Sequence, residues 1–475
     1  MTDEVDLVVI GGGTAGLIAA RTAVSLGARV TLVEAERTGG DCLWTGCVPS
    51  KTLIAAAAAA HRTRSGGPGI DPMEPKIDFP AVLARVRAAI AHIEPDDSPE
   101  TLRAAGIDVV HGQARFTGSR TLDIDGQPVR FRRAIVATGS APAMPPIPGL
   151  ADVAPLTSDT VWELTDLPAR LVVLGGGPIG CELGQAFARL GAQVTIVEAE
   201  VRLVPREEPQ ASTVLAARLA AEGIQVHTHT TLTQVTGAPG AITCEITGPG
   251  GPATVEADRI LAATGRHPRS DGLGLDTAGV RTDPRGYVTV NRRLRTSNPR
   301  VYAAGDITGA PAFTHIAALH GSIAASNALL GPLRAVDHDR MPWVTFTDPE
   351  IAHVGLTETE ARDRHGDAIR VRSLPHARLD RAVTENDTDG LTHIVLDAKG
   401  RVLGATIVAP RAGEMITELA ILVARQRRLR DLASVVHPYP SWSQAVWNLA
   451  VAESTTALRQ PPIQWVIALL RRLRH

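Results

Sequence analysis

The sequence predicts an α/β protein made of two doubly wound units followed by a smaller α+β unit. Three observations carry this. Residues 5–34 run as apolar strand, glycine-rich turn, alanine-rich helix and second apolar strand. The same succession returns at 171–198, with Gly11, Gly13, Gly16, Gly27, Val30 and Glu34 all repeated 164 positions later. From about Met341 the pattern becomes one of alternating polarity, the periodicity of an antiparallel sheet.

In the first unit Gly11, Gly13 and Gly16 supply a G-x-G-x-x-G spacing between strand and helix. Glycines there allow a tight turn and close backbone approach to a pyrophosphate at the helix N-terminus. Glu34 ends the second strand, where a carboxylate can accept from ribose hydroxyls. This is a Rossmann-type dinucleotide-binding pattern. Gly175, Gly177, Gly180 and Glu198 repeat it, so two dinucleotides are implied; the alternative is one emptied structural copy. Each copy also ends in an apolar strand closing on Ala-Thr-Gly, at Ala134–Gly139 and Ile260–Gly265.

Between the first fold's second strand and its later helices lies Gly39-Gly40-Asp41-Cys42-Leu43-Trp44-Thr45-Gly46-Cys47-Val48-Pro49-Ser50-Lys51. In a regular helix, Cα atoms five residues apart are roughly 8 to 9 Å apart. A disulfide needs about 4.4 to 6.8 Å. A Cys42–Cys47 bond therefore requires a distorted turn, which Gly46 and Pro49 permit or impose. Such a bond closes almost no loop and stabilises little, which favours redox use over stapling. A structural disulfide or two unrelated thiols are the alternatives. Alanine-rich residues 52–60 read as the helix that carries Cys47 and Lys51, ended by Ser65–Gly69, and 80–106 as one or two further helices. The Pro-rich crossing at 140–150 reads as a linker between domains.

Composition narrows the class. At 475 residues two to four domains are expected. A hydrophobic fraction of 44% describes a soluble globular chain, and a net charge of −2 gives no field for nucleic acid. Four cysteines are too few for a disulfide scaffold, and no Cys/His cluster at ligand spacing suggests zinc or another metal. The first strand begins near Val5, leaving no room for a leader, and no apolar run approaches a membrane span; a cytoplasmic location is expected. Lys51, Lys76 and Lys399 are the only lysines among 48 Lys plus Arg. A lysine kept inside the cysteine motif suggests that a compact ammonium is needed there.

The cysteine stretch resembles the redox-disulfide signature of the pyridine nucleotide–disulfide oxidoreductases, which include dihydrolipoamide dehydrogenase, glutathione reductase and mercuric reductase. The resemblance extends over nearly the whole chain. It implies FAD in the first fold and NAD(H) or NADP(H) in the second, with a discontinuous FAD domain at 1–148 and 266–340, a nucleotide domain at 149–265 and a dimerisation domain at 341–460. It implies that Cys47 is the flavin-side sulfur and Cys42 the interchange thiol, with Glu182 pairing Lys51. Gly11, Gly13, Gly16, Glu34, Lys51, Ala114, Thr138, Gly139, Asp306 and Thr314 are implied at FAD. Gly175, Gly177, Gly180, Glu198 and Gly265 are implied at the nicotinamide nucleotide. Val301–Asp306 resembles the second flavin fingerprint, and Thr314–Ala325 the helix beside the flavin. His315 and His320 read as packed or capping residues, and Cys181 and Cys244 as small packed ones. Glu198 favours NADH, since a carboxylate repels a 2′-phosphate, whereas Arg202 lies close enough in sequence to meet one.

Departures from the family pattern concern the acceptor. The family's His-Pro-Thr-x-x-Glu has become His437-Pro438-Tyr439-Pro440-Ser441-Trp442-Ser443-Gln444. Aligned on His437, Trp442 takes the acid's place and cannot orient an imidazole. Aligned on Pro440, Tyr439 takes the histidine's place and Gln444 the acid's, as in mercuric reductases. A tyrosine with a pKa of about 10 shuttles protons poorly at neutral pH. The vicinal cysteines of a mercuric reductase tail have no counterpart in Leu470–His475, and an N-terminal Cys-x-x-Cys domain is not expected. Asp41 stands where Thr is usual and is expected to raise the Cys42 pKa. Trp44 stands where Asn is usual and offers either a face to a flat acceptor or a ring packed on the helix.

The leading expectation is an FAD-dependent NAD(P)H oxidoreductase, mercuric reductase-like, with a redox disulfide and an unidentified small-molecule acceptor. Dihydrolipoyl dehydrogenase, a diaphorase-like quinone reductase and a slow redox-sensing flavoprotein stay open. A homodimer follows from the resemblance. Residues 461–475 form a basic amphipathic tail, whose positions 463–474 suit either packing on the dimer or peripheral membrane contact.

Overall fold

The computed structural model describes residues 4–458 and 461–474. Residues 1–3, 459, 460 and 475, which the bounds 1–148, 341–460 and 461–475 include, lie outside the described residues. The chain divides into two compact units: 1–199 with 223–338, and 200–222 with 339–475.

The first unit opens with β1 (Val5–Ile10), α1 (Thr14–Ser25) and β2 (Val30–Glu34). The cysteine segment then forms a short α2 (Gly40–Trp44) and a long α3 (Cys47–Ser65), broken at Thr45-Gly46. Next come α4 (Phe79–Ile93), α5 (Pro99–Ala104), β3 (Ile107–His111), β4 (Ala114–Gly118), β5 (Thr121–Ile124) and β6 (Gln127–Val136). Strand order is β3-β2-β1-β6-β5-β4, parallel from β3 to β6 and antiparallel along the β6-β5-β4 arm. Ile10 sits level with Val33 on one side and Val136 on the other, so both neighbouring strands end beside the glycine turn. Strands buried on both faces explain the near-continuous apolar runs.

A short β7 (Ser140–Pro142) carries the chain into the second fold: β8 (Arg170–Leu174), α6 (Pro178–Arg189) and β9 (Gln193–Val197). Helix α7 (Pro209–Ala221) is grouped with the other unit. The fold resumes with β10 (Gln225–His227), the antiparallel arm β11 (Thr231–Ala238), β12 (Ala241–Gly248) and β13 (Gly251–Ala257), and β14 (Arg259–Ala262). Its parallel sheet is ordered β10-β9-β8-β14. The return strand β15 (Arg266–Pro268) pairs antiparallel with β7, so the outgoing and incoming chain run side by side. The Pro-rich crossing is thus partly a strand. Then β16 (Val301–Ala303) joins β6, and α8 (Thr314–Leu330) packs on α1.

The two glycine turns superpose in their constraints. Gly11 and Gly175 have φ of +103° and +107°, in the left-handed region that favours glycine. A Cβ on Gly16 would lie 1.8 Å from Gly11 O, and one on Gly180 1.9 Å from Gly175 O. In both turns the third glycine lets the helix lie against the strand end.

In the second unit β17 (Pro342–Thr345), β18 (Glu350–Gly355), β19 (Arg370–Pro375), β20 (Leu391–Leu396) and β21 (Val402–Ala409) form one antiparallel sheet ordered β17-β18-β21-β20-β19. What reads as one segment at 343–350 is two strands joined by a turn. Two short helices, α9 (Glu358–His365) and α10 (Asp380–Glu385), were hidden in polar stretches. Helices α11 (Ala412–Ala424), α12 (Gln444–Leu458) and α13 (Pro461–Leu473) follow. Ile394, Leu396, Ile407, Ile416, Leu419, Val446 and Leu449 belong to its core.

The α1–α8 contact positions the site, because α8 carries Thr314 at its first turn. A Cβ at Gly321 would lie 2.2 Å from Ala15 O and 3.0 Å from Ala19 N. Gly321→Ala should therefore force the two helices apart and lower stability by about 1–3 kcal/mol. A fall in the urea midpoint checks this; an unchanged midpoint contradicts it.

Candidate redox site and nucleotide cradles

Backbone contacts join the cysteine segment to the first glycine turn. Gly39 N donates to Gly12 O at 2.9 Å, and a Cβ on Gly40 would sit 2.6 Å from Gly13 Cα. Side chains are excluded here, so the two glycine-rich segments touch main chain to main chain. The break between α2 and α3 then turns the chain: Gly46 N bonds back to Asp41 O at 2.5 Å, and a Cβ on Gly46 would lie 2.8 Å from that oxygen. This is the distorted turn that a five-residue cysteine spacing requires.

Cys42 and Cys47 are both half-buried free thiols here, and their side chains share a hydrogen bond. Cys47 Sγ also lies 3.2 Å from Thr314 Oγ1. One turn along α3, Lys51 Nζ donates to Glu182 Oε2 at 2.7 Å, and Glu182 is buried on α6. The surroundings split the two sulfurs. The hydrogen bond from Cys42 and then that of Thr314, with the Lys51 charge, pull the Cys47 pKa down to about 6, against burial and the Glu182 charge. The Cys42 pKa is pushed far up, first by its hydrogen bond to Cys47, then by burial and by the charge on Cys47. The opposite shifts favour Cys47 over Cys42 as the thiolate.

Asp41 does not act as foreseen. Its carboxylate is paired with Arg266 and, at 3.2 Å, with Arg269. Cys47, not Asp41, is the leading cause of the raised Cys42 pKa. Arg266 Nε donates to Ser140 Oγ at 2.7 Å, and Ser140 Oγ donates to Asp306 Oδ2 at 2.8 Å. A polar chain thus runs from the residue beside Cys42 to the Asp306 of the second fingerprint. Sequence reasoning missed Arg266 and Ser140; the former follows Ala-Thr-Gly directly. Trp44 donates to Thr38 O at 2.8 Å and its ring faces the Arg37 guanidinium at 4.0 Å.

The N-terminus of α1 has no side-chain cap at Gly13, and that of α6 none at Gly177. Uncapped first-turn amides are donors for a pyrophosphate. Glu34 Oε2 accepts from Gly12 N at 2.5 Å, and Glu198 Oε2 from Gly176 N at 2.5 Å, the same contact in both folds. Each carboxylate stands beside its glycine turn, and glycine leaves room for a dinucleotide backbone. The donor sets fit two such groups. Thr138 donates to Arg269 O, Gly139 has φ +70° and Gly265 φ +123°. Ala114 lies in β4 within the apolar core, level with Ile124. His320 is buried as a packed residue, its Nδ1 accepting from Gly305 N at 3.3 Å. Arg202 donates to the carbonyls of Pro205 and Glu207.

In the second unit His437 Nε2 lies 2.9 Å from Glu418 Oε2 on α11, and its Nδ1 2.9 Å from Val435 O. The histidine thus has a carboxylate partner that no spacing motif announced, in place of Trp442. Tyr439 is exposed and donates to Asp380 Oδ2 at 2.7 Å, which raises its pKa. Gln444, the alternative partner, has no hydrogen bond to its buried Oε1 among the described residues.

The family pattern described as pyridine nucleotide-disulphide oxidoreductase matches residues 5–321, and its dimerisation domain matches 341–450. A mercuric reductase of Streptomyces lividans is 40% identical over 449 residues, covering 93% of this chain and 94% of that one. A dihydrolipoyl dehydrogenase of Thermus scotoductus is 35% identical over 465 residues, covering 94% and 97%. The solved structure of the HOCl-induced flavoprotein disulfide reductase RclA of Escherichia coli superposes with a TM-score of 0.82 at 29% identity, covering 94% of this chain and 99% of that one.

In the reduced protein the Cys47 thiolate should titrate with a midpoint near 6, seen as thiolate absorbance at 240 nm that Cys47→Ser removes. Lys51→Met and Thr314→Val should each move the midpoint up toward the ordinary thiol range and cut alkylation at neutral pH several-fold. Unmoved midpoints would contradict these assignments.

Proposed function

The chain belongs to the pyridine nucleotide-disulphide oxidoreductase family, and from that premise we propose that it oxidises NADH, passing electrons through FAD to the Cys42–Cys47 pair and on to a small-molecule acceptor, as a mercuric reductase-like enzyme without the C-terminal cysteine pair. The family is FAD-dependent, and bound FAD supplies the two-electron exchange between the nicotinamide nucleotide and the cysteines. The observation that carries the reading is the asymmetry of the sulfurs, with Thr314 and the Lys51–Glu182 pair around Cys47.

The electron count follows from that asymmetry. Oxidising NADH to NAD+ releases two electrons and one proton. Opening the disulfide consumes both electrons, and the single proton ends on Cys42 while Cys47 stays a thiolate. Lys51 holds that negative charge in place, and Glu182 holds Lys51. Cys42 must lose its proton before it bonds to an acceptor, so a base is needed when the acceptor is a thiol substrate. Gly11, Gly13, Gly16, Glu34, Thr138, Gly139 and Asp306 would hold FAD, and Gly175, Gly177, Gly180, Glu198 and Gly265 the nicotinamide nucleotide. NADH is favoured over NADPH because Glu198 would repel a 2′-phosphate and Arg202 is engaged with backbone carbonyls. Residues 341–450 carry the dimerisation domain, and the enzyme acts as a homodimer.

The His437–Glu418 pair favours a second reading, a dihydrolipoyl dehydrogenase whose acid comes from α11. NADH oxidation by the FAD-loaded enzyme should be compared with a thiol complex of Hg(II), with lipoamide and with a quinone. The first reading predicts that turnover with an acceptor other than lipoamide is lost by at least about a hundredfold in Cys42→Ser and unaffected by Glu418→Gln. Fast lipoamide turnover, cut by about 10²–10⁴-fold in Glu418→Gln, supports the second. Quinone turnover that survives Cys42→Ser would contradict both.

A further inference from the structure

We infer that α13 is a membrane-surface helix that binds this enzyme to anionic lipid. The inference stands on features of the second unit alone. Helix α13 spans Pro461–Leu473, about 20 Å. No residue in it is buried. Ile463, Val466, Ile467, Leu470 and Leu473 recur at helical spacing along one face, flanked by Leu469 and Trp465. Trp465 is 70% and Leu473 74% exposed. A water-facing helix with this much unpartnered apolar surface requires a cover.

Charge identifies the cover. Arg471 and Arg472 lie in the last turn of the helix and Arg474 follows it, and no acidic side chain occurs from Ser454 to Arg474. None of the three guanidinium groups forms an ion pair among the described residues. A second copy of α13 packed in parallel would bring like charge to like charge, and the helix carries no acid to answer it. A layer of lipid phosphates and carboxylates answers it directly, and its hydrocarbon border covers the apolar face without needing a complementary groove. Tryptophan and arginine are the residue types that settle at that border. Among the described residues no helix is long and apolar enough to cross the bilayer, so the contact is one of lying on the surface. Pro461 and Pro462 open the helix.

The test is cosedimentation of the FAD-loaded full chain with vesicles of phosphatidylcholine containing phosphatidylglycerol, against vesicles of phosphatidylcholine alone, at low and high salt. The enzyme should pellet with the anionic vesicles and be released by salt. Combined Arg471→Gln, Arg472→Gln and Arg474→Gln should weaken partitioning by about a hundredfold, at about fivefold per arginine. Trp465→Ser with Leu470→Ser should weaken it to a similar degree, and both variants should oxidise NADH in solution as the parent does. Equal partitioning into neutral vesicles, no pelleting, or variants that bind like the parent would overturn the inference. So would a halved sedimentation mass on removing 461–475, which would make a second copy the occupant.

Discussion

A single ion pair organises the chemistry. Lys51 lies on the helix that begins at Cys47, and Glu182 lies buried on the first helix of the second fold, 131 residues away. A buried carboxylate without a cation would be costly, and a lysine four residues after a sulfur is one helical turn from it. The pair therefore satisfies Glu182, ties α3 to α6 and sets a positive charge beside Cys47. In a chain that otherwise uses arginine almost throughout, a compact ammonium with freely turning donors suits a position shared between a carboxylate and a sulfur.

That charge acts only because the backbone brings the sulfurs to it. Main-chain contact between Gly40 and Gly13 seats the cysteine segment on the first nucleotide turn, and the break at Gly46 turns α2 into α3 so that two cysteines five positions apart meet. Close packing of α8 on α1 at Gly321 then delivers Thr314 to Cys47. Each step places backbone where a side chain would normally stand. The same economy appears in both nucleotide folds, where Gly16 and Gly180 let a helix rest on its own turn.

Most of this was legible because backbone geometry writes itself into sequence. Positive φ and sub-van-der-Waals approach leave glycine as the residue that fits, so the two turns and the 164-residue offset were readable, whereas the pairing of Glu182 with Lys51 came from the family resemblance. Partnerships between side chains from separate elements leave no such trace. Glu418 reaches His437 from another helix, and Asp380 reaches Tyr439 from 59 positions upstream. Asp41 could be read as a charge beside Cys42, but not as a charge already balanced by Arg266 and Arg269. Helix α9 was missed for a different reason: it is a polar helix with little apolar periodicity, and its Thr357–Glu360 capping box is its main local signal.

The central claim is that electrons from the nicotinamide nucleotide enter the cysteine pair. The direct measurement is an anaerobic count of free thiols in the FAD-loaded, oxidised protein after one equivalent of NADH, with alkylated residues located by mass spectrometry. The account predicts two new thiols per chain, at Cys42 and Cys47, with Cys181 and Cys244 unchanged. One equivalent of NADH consumed anaerobically, with no acceptor added, while the count at Cys42 and Cys47 stays fixed would contradict it.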